Sequence, residues 1–138
     1  MTFSLTRSIR FCAAHRLFNP AWSDEENFRV FGKCSLPGGH GHTYLLTVTV
    51  SGPLDPHSGM IINVATLRDI LRREVFDLLD HRDLNHDVPF LQGLVPTMEN
   101  IAQKLAERLQ PVFAAHQLTL TRLSLAESDH HYVTIDLP

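Results

Sequence analysis

Gly39-His40-Gly41-His42-Thr43-Tyr44-Leu45-Leu46-Thr47-Val48-Thr49-Val50-Ser51 is the stretch from which fold and site can be read together. Residues 43–51 alternate as a half-buried strand does, with Tyr44, Leu46, Val48 and Val50 sharing one parity. His40 and His42 share that parity, so they extend the apolar face, and their imidazoles leave the strand on one side. Two imidazoles on one face can converge on a metal ion. A zinc centre that does chemistry usually has three protein ligands and an open position, so a third histidine is expected.

Moving upstream, residues 3–15 alternate as well. Phe3, Leu5, Ile9, Phe11, Ala13 and His15 share one parity, which predicts a long strand that delivers His15 to the inner face. His15 is therefore the candidate third ligand. Taken alone, a His-x-His pair is as readily a coincidence as a ligand pair in a chain with nine histidines. The glycines beside His40 and His42, which allow close backbone approach, and the placement of His15 strengthen it. Cys34, in the Gly/Pro-rich run Gly32-Lys33-Cys34-Ser35-Leu36-Pro37-Gly38-Gly39, is the candidate catalytic thiol. A thiolate near a metal or an imidazolium can act as base or nucleophile. Cys12 fits the role of a buried structural cysteine better.

Residues 16–39 read as irregular, broken by Asn19-Pro20 and Gly38-Gly39. Asn63 can cap a helix that runs to about Leu79, with Leu67, Ile70, Leu71, Val75, Leu78 and Leu79 as its apolar stripe. Asp80 to Pro96 reads as a loop. Thr97 can cap a second helix with a stripe of Ile101, Ala102, Leu105, Ala106, Leu109, Val112 and Phe113. Residues 118–127 and 131–137 are two further strands. Leu118 and Leu120 have the opposite parity to Leu123 and Leu125, which predicts a bulge near Arg122. The order β-β-α-α-β-β predicts an α+β fold, with a four-stranded antiparallel sheet and two helices packed on one face. The open face and edges predict self-assembly.

Length and composition set the bounds. The 138 residues suit a single domain, 43% hydrophobic and 20% charged, as is ordinary for a globular protein. A formal charge of −3 with scattered cations argues against a nucleic-acid footprint. Two cysteines are too few for a disulfide scaffold, and no apolar run resembles a signal core or a membrane span. A reduced, cytoplasmic protein is the expectation.

Other groups have both a chemical and a plain reading. In Asp80-His81 the carboxylate can orient the imidazole for proton transfer, or the pair is a polar helix exit. Glu127 can grip two N–H groups of a flat heterocycle, or it is a strand-end surface residue. Glu99 can complement the helix dipole. His86, His116, His130 and His131 read as solvated, and His57 as a turn residue.

Taken in order, Phe11-Cys12-Ala13-Ala14-His15-Arg16-Leu17, Glu26-Asn27, Phe31-Gly32-Lys33-Cys34, Gly39-His40-Gly41-His42, Gly59-Met60-Ile61-Ile62-Asn63, Leu79-Asp80-His81, Leu84-Asn85, Pro96-Thr97-x-Glu99-Asn100 and Glu127-Ser128-Asp129 resemble the 6-pyruvoyl-tetrahydropterin synthase family. That family includes the 6-carboxy-tetrahydropterin synthases of the queuosine pathway. The resemblance spans nearly the whole chain, residues 1–138.

It implies a tunnelling fold (T-fold) and a homohexamer, a dimer of trimers with active sites between subunits, so that Cys34 and Glu127 can come from different chains. It implies Zn2+ on His15, His40 and His42, with Cys34 as the proton-abstracting base assisted by Asp80 and His81. Glu127 would anchor the pterin, and Thr97 and Glu99 would line its pocket. The implied reaction is a lyase step on 7,8-dihydroneopterin triphosphate. It releases triphosphate and yields 6-pyruvoyl-tetrahydropterin or 6-carboxy-tetrahydropterin, with zinc as Lewis acid and template.

Ser35-Leu36 stand where the pyruvoyl branch has asparagines, and Met98 replaces a small hydroxylated residue. The five-residue gap between Cys34 and His40 resembles the pyruvoyl branch. A non-catalytic pterin- or zinc-binding protein on the same fold is the alternative from another class. A zinc hydrolase ranks below it, because no zincin-type helix motif supplies a glutamate base.

Overall fold

Alternation dictates the two long strands, and both form. In a computed structural model describing Met1–Pro138, β1 spans Phe3–His15 and β2 spans His40–Gly52. They pair antiparallel from Phe3↔Gly52 to His15↔His40, so the apolar rows of both strands face one side. The remaining strands are β3 (Arg82–Asp83), β4 (Thr119–Ala126) and β5 (Tyr132–Asp136). The sheet order is β3-β1-β2-β4-β5.

The expected four-stranded antiparallel sheet is thus corrected to five strands. β3 pairs parallel with β1 through Ala13 and Ala14 alone. It is too short for any periodic signal and arises where the chain returns past the β1 edge. The bulge falls where parity required it: Thr49 faces Arg122 and Val50 faces Leu120, leaving Thr121 as the extra residue of β4.

The helical segments are α1 (Asp24–Phe31), α2 (Val64–Leu71), α3 (Asp77–Leu79) and α4 (Met98–Ala114). Caps explain their starts: Asn63 accepts from Ala65 N–H and Thr97 from Asn100 N–H. The single helix expected up to Leu79 is interrupted by a π-helical turn at Arg72–Phe76. Its inward row, Leu67, Ile70, Leu71, Val75 and Leu79, stays buried throughout.

α1 corrects the irregular reading of residues 16–39. It buries only Asn27, so apolar periodicity could not reveal it. The signature was the N-terminus: Ser23 accepts from Glu26 N–H at 3.1 Å, and Asp24, Glu25 and Glu26 sit at the positive end of the helix dipole. The loop expected from Asp80 to Pro96 contains β3 and a 3-10 turn at Pro89–Leu91.

The inner face of the sheet (Phe11, Tyr44, Leu46, Val48, Val50, Leu123, Leu125) and the inward sides of α2 and α4 form one apolar cluster. Each such buried aliphatic side chain contributes about 1.5–3 kcal/mol against conformational entropy. At one end of the cluster the inner row changes from apolar to imidazole. No helix is long and apolar enough to cross a membrane.

Candidate active site

Strand register builds the centre. His15 lies directly opposite His40, and His42 lies opposite Ala13 on the same face. The three rings form a nearly equilateral triangle, with centroids 4.6, 5.0 and 4.8 Å apart. Their ligand nitrogens all lie within 4.8 Å of one another, and His15 Nε2 is 3.0 Å from His40 Nε2.

Three observations test whether these residues suit a metal ion. His15 Nδ1 donates to the Pro96 carbonyl at 2.8 Å, which fixes the tautomer and leaves Nε2 as a bare lone pair aimed at the other two rings. His42 Nε2 is buried with no hydrogen-bond partner, a costly state for a polar nitrogen unless it is a ligand. Burial lowers the pKa of both His15 and His42, which favours the neutral, ligating form. Imidazole donors in threes suit zinc, whose nitrogens in a tetrahedral site lie roughly 3.3 Å apart for Zn–N of about 2.0–2.1 Å. The residues fit.

Glu127 joins this centre. It directly follows β4, whose pairing with β2 places Ala126 opposite Leu45. Its Oε2 lies 3.8 Å from His42 Nε2, a Coulombic contact too long to be a hydrogen bond. Its Oε1 accepts from His131 Nε2 at 3.2 Å across the β4–β5 turn. His131, read as solvated, therefore has a partner; the hint in the sequence was its position four residues after Glu127. Tyr44 lies buried beneath the rings, its hydroxyl pKa raised by burial and then by the Glu127 charge.

Asp80 and His81 sit at the β1 edge. Asp80 Oδ1 accepts from Cys12 N–H at 2.9 Å, and Oδ2 accepts from His81 Nδ1 at 2.7 Å. The Cys12 amide and then the His81 imidazole hold the Asp80 carboxyl below its ordinary pKa. His81 has a positive φ of 60°, an uncommon backbone for histidine, and its N–H donates to Cys12 O. This geometry leaves His81 Nε2 available as a proton acceptor.

His42 and His81 line one open cleft of about 620 Å3, together with Cys12, Thr43, Arg82, Asp83 and Asp87. Cys12 is exposed there, which corrects its assignment as a buried structural cysteine. An even-numbered residue of β1 points to the face without helices, and nothing covers that face within one chain.

Cys34 is half-buried on the 3-10 turn Gly32–Ser35 that follows α1, and it does not line the cleft that His42 and His81 share. The chain by itself thus brings together His15, His40, His42 and Glu127, and places His81 on the same cleft as His42. Thr97 caps α4, and Glu99 is exposed in its first turn. Neither lines that cleft within one chain, although Pro96, next to Thr97, holds His15.

The arrangement is that of a tunnelling-fold protein with a three-imidazole centre at the end of its sheet. The chain belongs to the 6-pyruvoyl tetrahydropterin synthase family, whose family model matches residues 4–137. This is a family of lyases. The chain is 42% identical over 129 residues to the 6-pyruvoyl tetrahydrobiopterin synthase of Pongo abelii, covering 94% of this chain and 88% of that one. It is 25% identical over 147 residues to the 6-carboxy-5,6,7,8-tetrahydropterin synthase of Rickettsia conorii, covering 94% and 97%. The structure superposes on the Caenorhabditis elegans 6-pyruvoyl tetrahydropterin synthase with a TM-score of 0.90 at 36% identity, covering 100% of this chain and 97% of that one.

Proposed function

We propose that this protein is a zinc-dependent lyase that converts 7,8-dihydroneopterin triphosphate to 6-pyruvoyl-tetrahydropterin with release of triphosphate. The carrying observation is the His15–His40–His42 triangle with its orphaned buried nitrogen, set 3.8 Å from the Glu127 carboxylate. The higher identity to a pyruvoyl synthase than to a carboxy synthase, 42% against 25%, favours the pyruvoyl product in tetrahydrobiopterin synthesis. The carboxy product of a queuosine route is the competing outcome.

Zinc held by the three imidazoles would supply Lewis acidity next to the substrate side chain. Glu127, an acceptor with two oxygens, pairs with the adjacent N–H groups of the pterin and sets the ring in the cleft. The Cys34 thiolate removes the carbon-bound proton beside the ring. Asp80 holds His81 Nδ1–H, so His81 Nε2 receives or returns that proton. By the family resemblance Thr97 and Glu99 line the pterin pocket that subunit assembly completes, since within one chain they stay apart from the cleft. The edges of the sheet favour a division of labour between subunits. β5 is a short sheet edge, and β3 covers only Ala13 and Ala14 of β1, so the rest of the long β1 edge and β5 are free to pair between copies. A cytoplasmic homohexamer, built as a dimer of trimers from one domain per chain, brings Cys34 to the cleft of a neighbour.

Incubation with 7,8-dihydroneopterin triphosphate, with and without chelator, followed by mass spectrometry of the product, tests the reading. Metal-dependent release of triphosphate with the pyruvoyl product supports it. Acetaldehyde with the carboxy product assigns the other branch. A fully metal-loaded protein that leaves the substrate intact is a binding protein instead. Cys34→Ala keeps its metal and loses turnover; retained turnover removes Cys34 from the mechanism.

A further inference from the structure

The segment that leaves β1 carries a set of contacts that the chemistry above does not use. Arg16, directly after the ligand His15, is held by its own backbone. Its N–H donates to Asn85 Oδ1 at 2.8 Å, and its carbonyl accepts from Asn85 Nδ2 at 2.8 Å. Asn85 is fixed in turn, because its N–H donates to Asp83 Oδ1 at 2.9 Å.

The Arg16 side chain turns the other way. Its Nε donates to the Ser35 carbonyl at 2.7 Å, and the guanidinium lies 3.8 Å over the Phe18 ring. One residue on, Leu17 N–H donates to the Cys34 carbonyl at 2.8 Å. Ser35 itself is buried, and its hydroxyl donates to Gly32 O at 2.8 Å, which closes the turn. The carbonyl of Cys34 and that of the residue after it are therefore both tied to the two residues that follow His15. The other bonds of the Cys34 turn are local, Leu36 N–H to Lys33 O at 3.2 Å and Gly32 N–H to Phe28 O, so Arg16 and Leu17 are what tie it to β1.

We infer that Arg16 is a positioning residue for Cys34, a clamp that fixes the thiol turn to the end of β1 in its own subunit and so sets how the thiol is presented to the cleft it serves, with Asn85 as its anchor. The inference rests on the reading of Cys34 as the proton-abstracting base. A planar guanidinium stacked on an aromatic ring and bonded through Nε presents one rotamer, which a flexible ammonium does not. A base displaced by about 1 Å loses on the order of 100-fold in rate, while substrate binding elsewhere in the pocket is spared.

The test uses the metal-loaded full chain in a Cys12→Ser background, so that Cys34 is the sole thiol. For Arg16→Met, kcat, KM, bound metal and the pH profile of Cys34 alkylation by iodoacetamide are measured. The expected result is a kcat reduced about 100-fold, with KM and bound metal unchanged and a shifted alkylation profile. Arg16→Lys, which keeps a donor of similar reach, recovers part of the loss.

Unchanged kcat with unchanged alkylation overturns the clamp. A raised KM with the alkylation profile intact also overturns it, and makes Arg16 a contact for the substrate phosphates. Loss of bound metal in step with activity overturns it as well, and places Arg16 with His15 alone. Should Arg16→Met lose its fold, Arg16→Gln, polar but too short to reach as the guanidinium does, reads the same quantities. Normal turnover by Cys34→Ala would reject the role of the thiol, whereas the Arg16-dependent alkylation profile would still report on the clamp.

Discussion

His15 Nδ1 donates to the carbonyl of Pro96 across 81 residues of sequence, at 2.8 Å. This bond joins the last residue of β1 to the entry of α4, and it points the free lone pair of His15 into the histidine triangle. A ligand set oriented in this way would bind an ion in the native state only. Removing the metal is therefore expected to lower stability. At free metal 100-fold above Kd the loss is about 2.7 kcal/mol. Thermal unfolding with and without chelator measures it, and equal melting temperatures would exclude a bound ion.

Gly39 is the tightest backbone position at the centre. Its φ is +64°, and a Cβ there would lie 2.9 Å from the His15 carbonyl oxygen. Gly39→Ala is expected to cost about 1 kcal/mol for the backbone conformation alone. The contact adds to this and pushes His40 away from His15. Metal titration followed by denaturation checks both effects; wild-type metal affinity would show that the strand absorbs the clash.

The pH response has a definite sign. Burial depresses the pKa of His15 and His42 in the folded chain, while the unfolded imidazoles titrate near the ordinary value of about 6.5. Between the folded and unfolded values the unfolded chain binds more protons, so stability rises with pH there. The contribution is complete above about 6.5 and is lost as pH falls through the folded values. Urea midpoints of the metal-free protein, followed downward from neutral pH, are expected to fall through that window. Metal release follows the same direction, because only neutral imidazole ligates.

Glu127→Gln keeps the shape of the side chain and removes its charge. Hydrogen bonds to a charged group contribute about 1.5–3 kcal/mol, so kcat/KM is expected to fall about 10- to 100-fold. The loss should appear mainly in pterin binding, with the metal retained. Fluorescence titration with a non-reactive pterin reads the binding directly, and unaltered affinity would remove Glu127 as the anchor.

Ser23→Ala removes the hydroxyl that accepts from Glu26 N–H at the start of α1. A lost N-cap costs about 1 kcal/mol. Because α1 leads directly into the Cys34 turn, hydrogen exchange should quicken over residues 24–35, while β1 and β2 stay protected.

Much of the fold was legible because it is local. A period of two over residues 3–15 placed β1 with its observed limits and put His15 on the buried side. The switch between Leu120 and Leu123 located the bulge, since a change of parity has no other cheap explanation. α1 and β3 were missed, the first because a helix that buries one residue has no stripe, the second because two residues have no period. The exposure of Cys12 was missed because alternation says that two faces differ, and is silent on whether the second one is covered.

The sequence by itself determined which side chains share a face, because strand geometry alone sends residues of one parity to one side. It also determined the candidate ligands, the capped helices and the family resemblance. Only the tertiary structure decided which of these groups meet. The pairing of β1 with β2 sets His15 against His40, the pairing of β2 with β4 carries Glu127 to His42, and the turn of the chain past the β1 edge binds Asp80 to the Cys12 amide. Those meetings depend on register and loop closure between segments far apart in the chain, which no local pattern encodes.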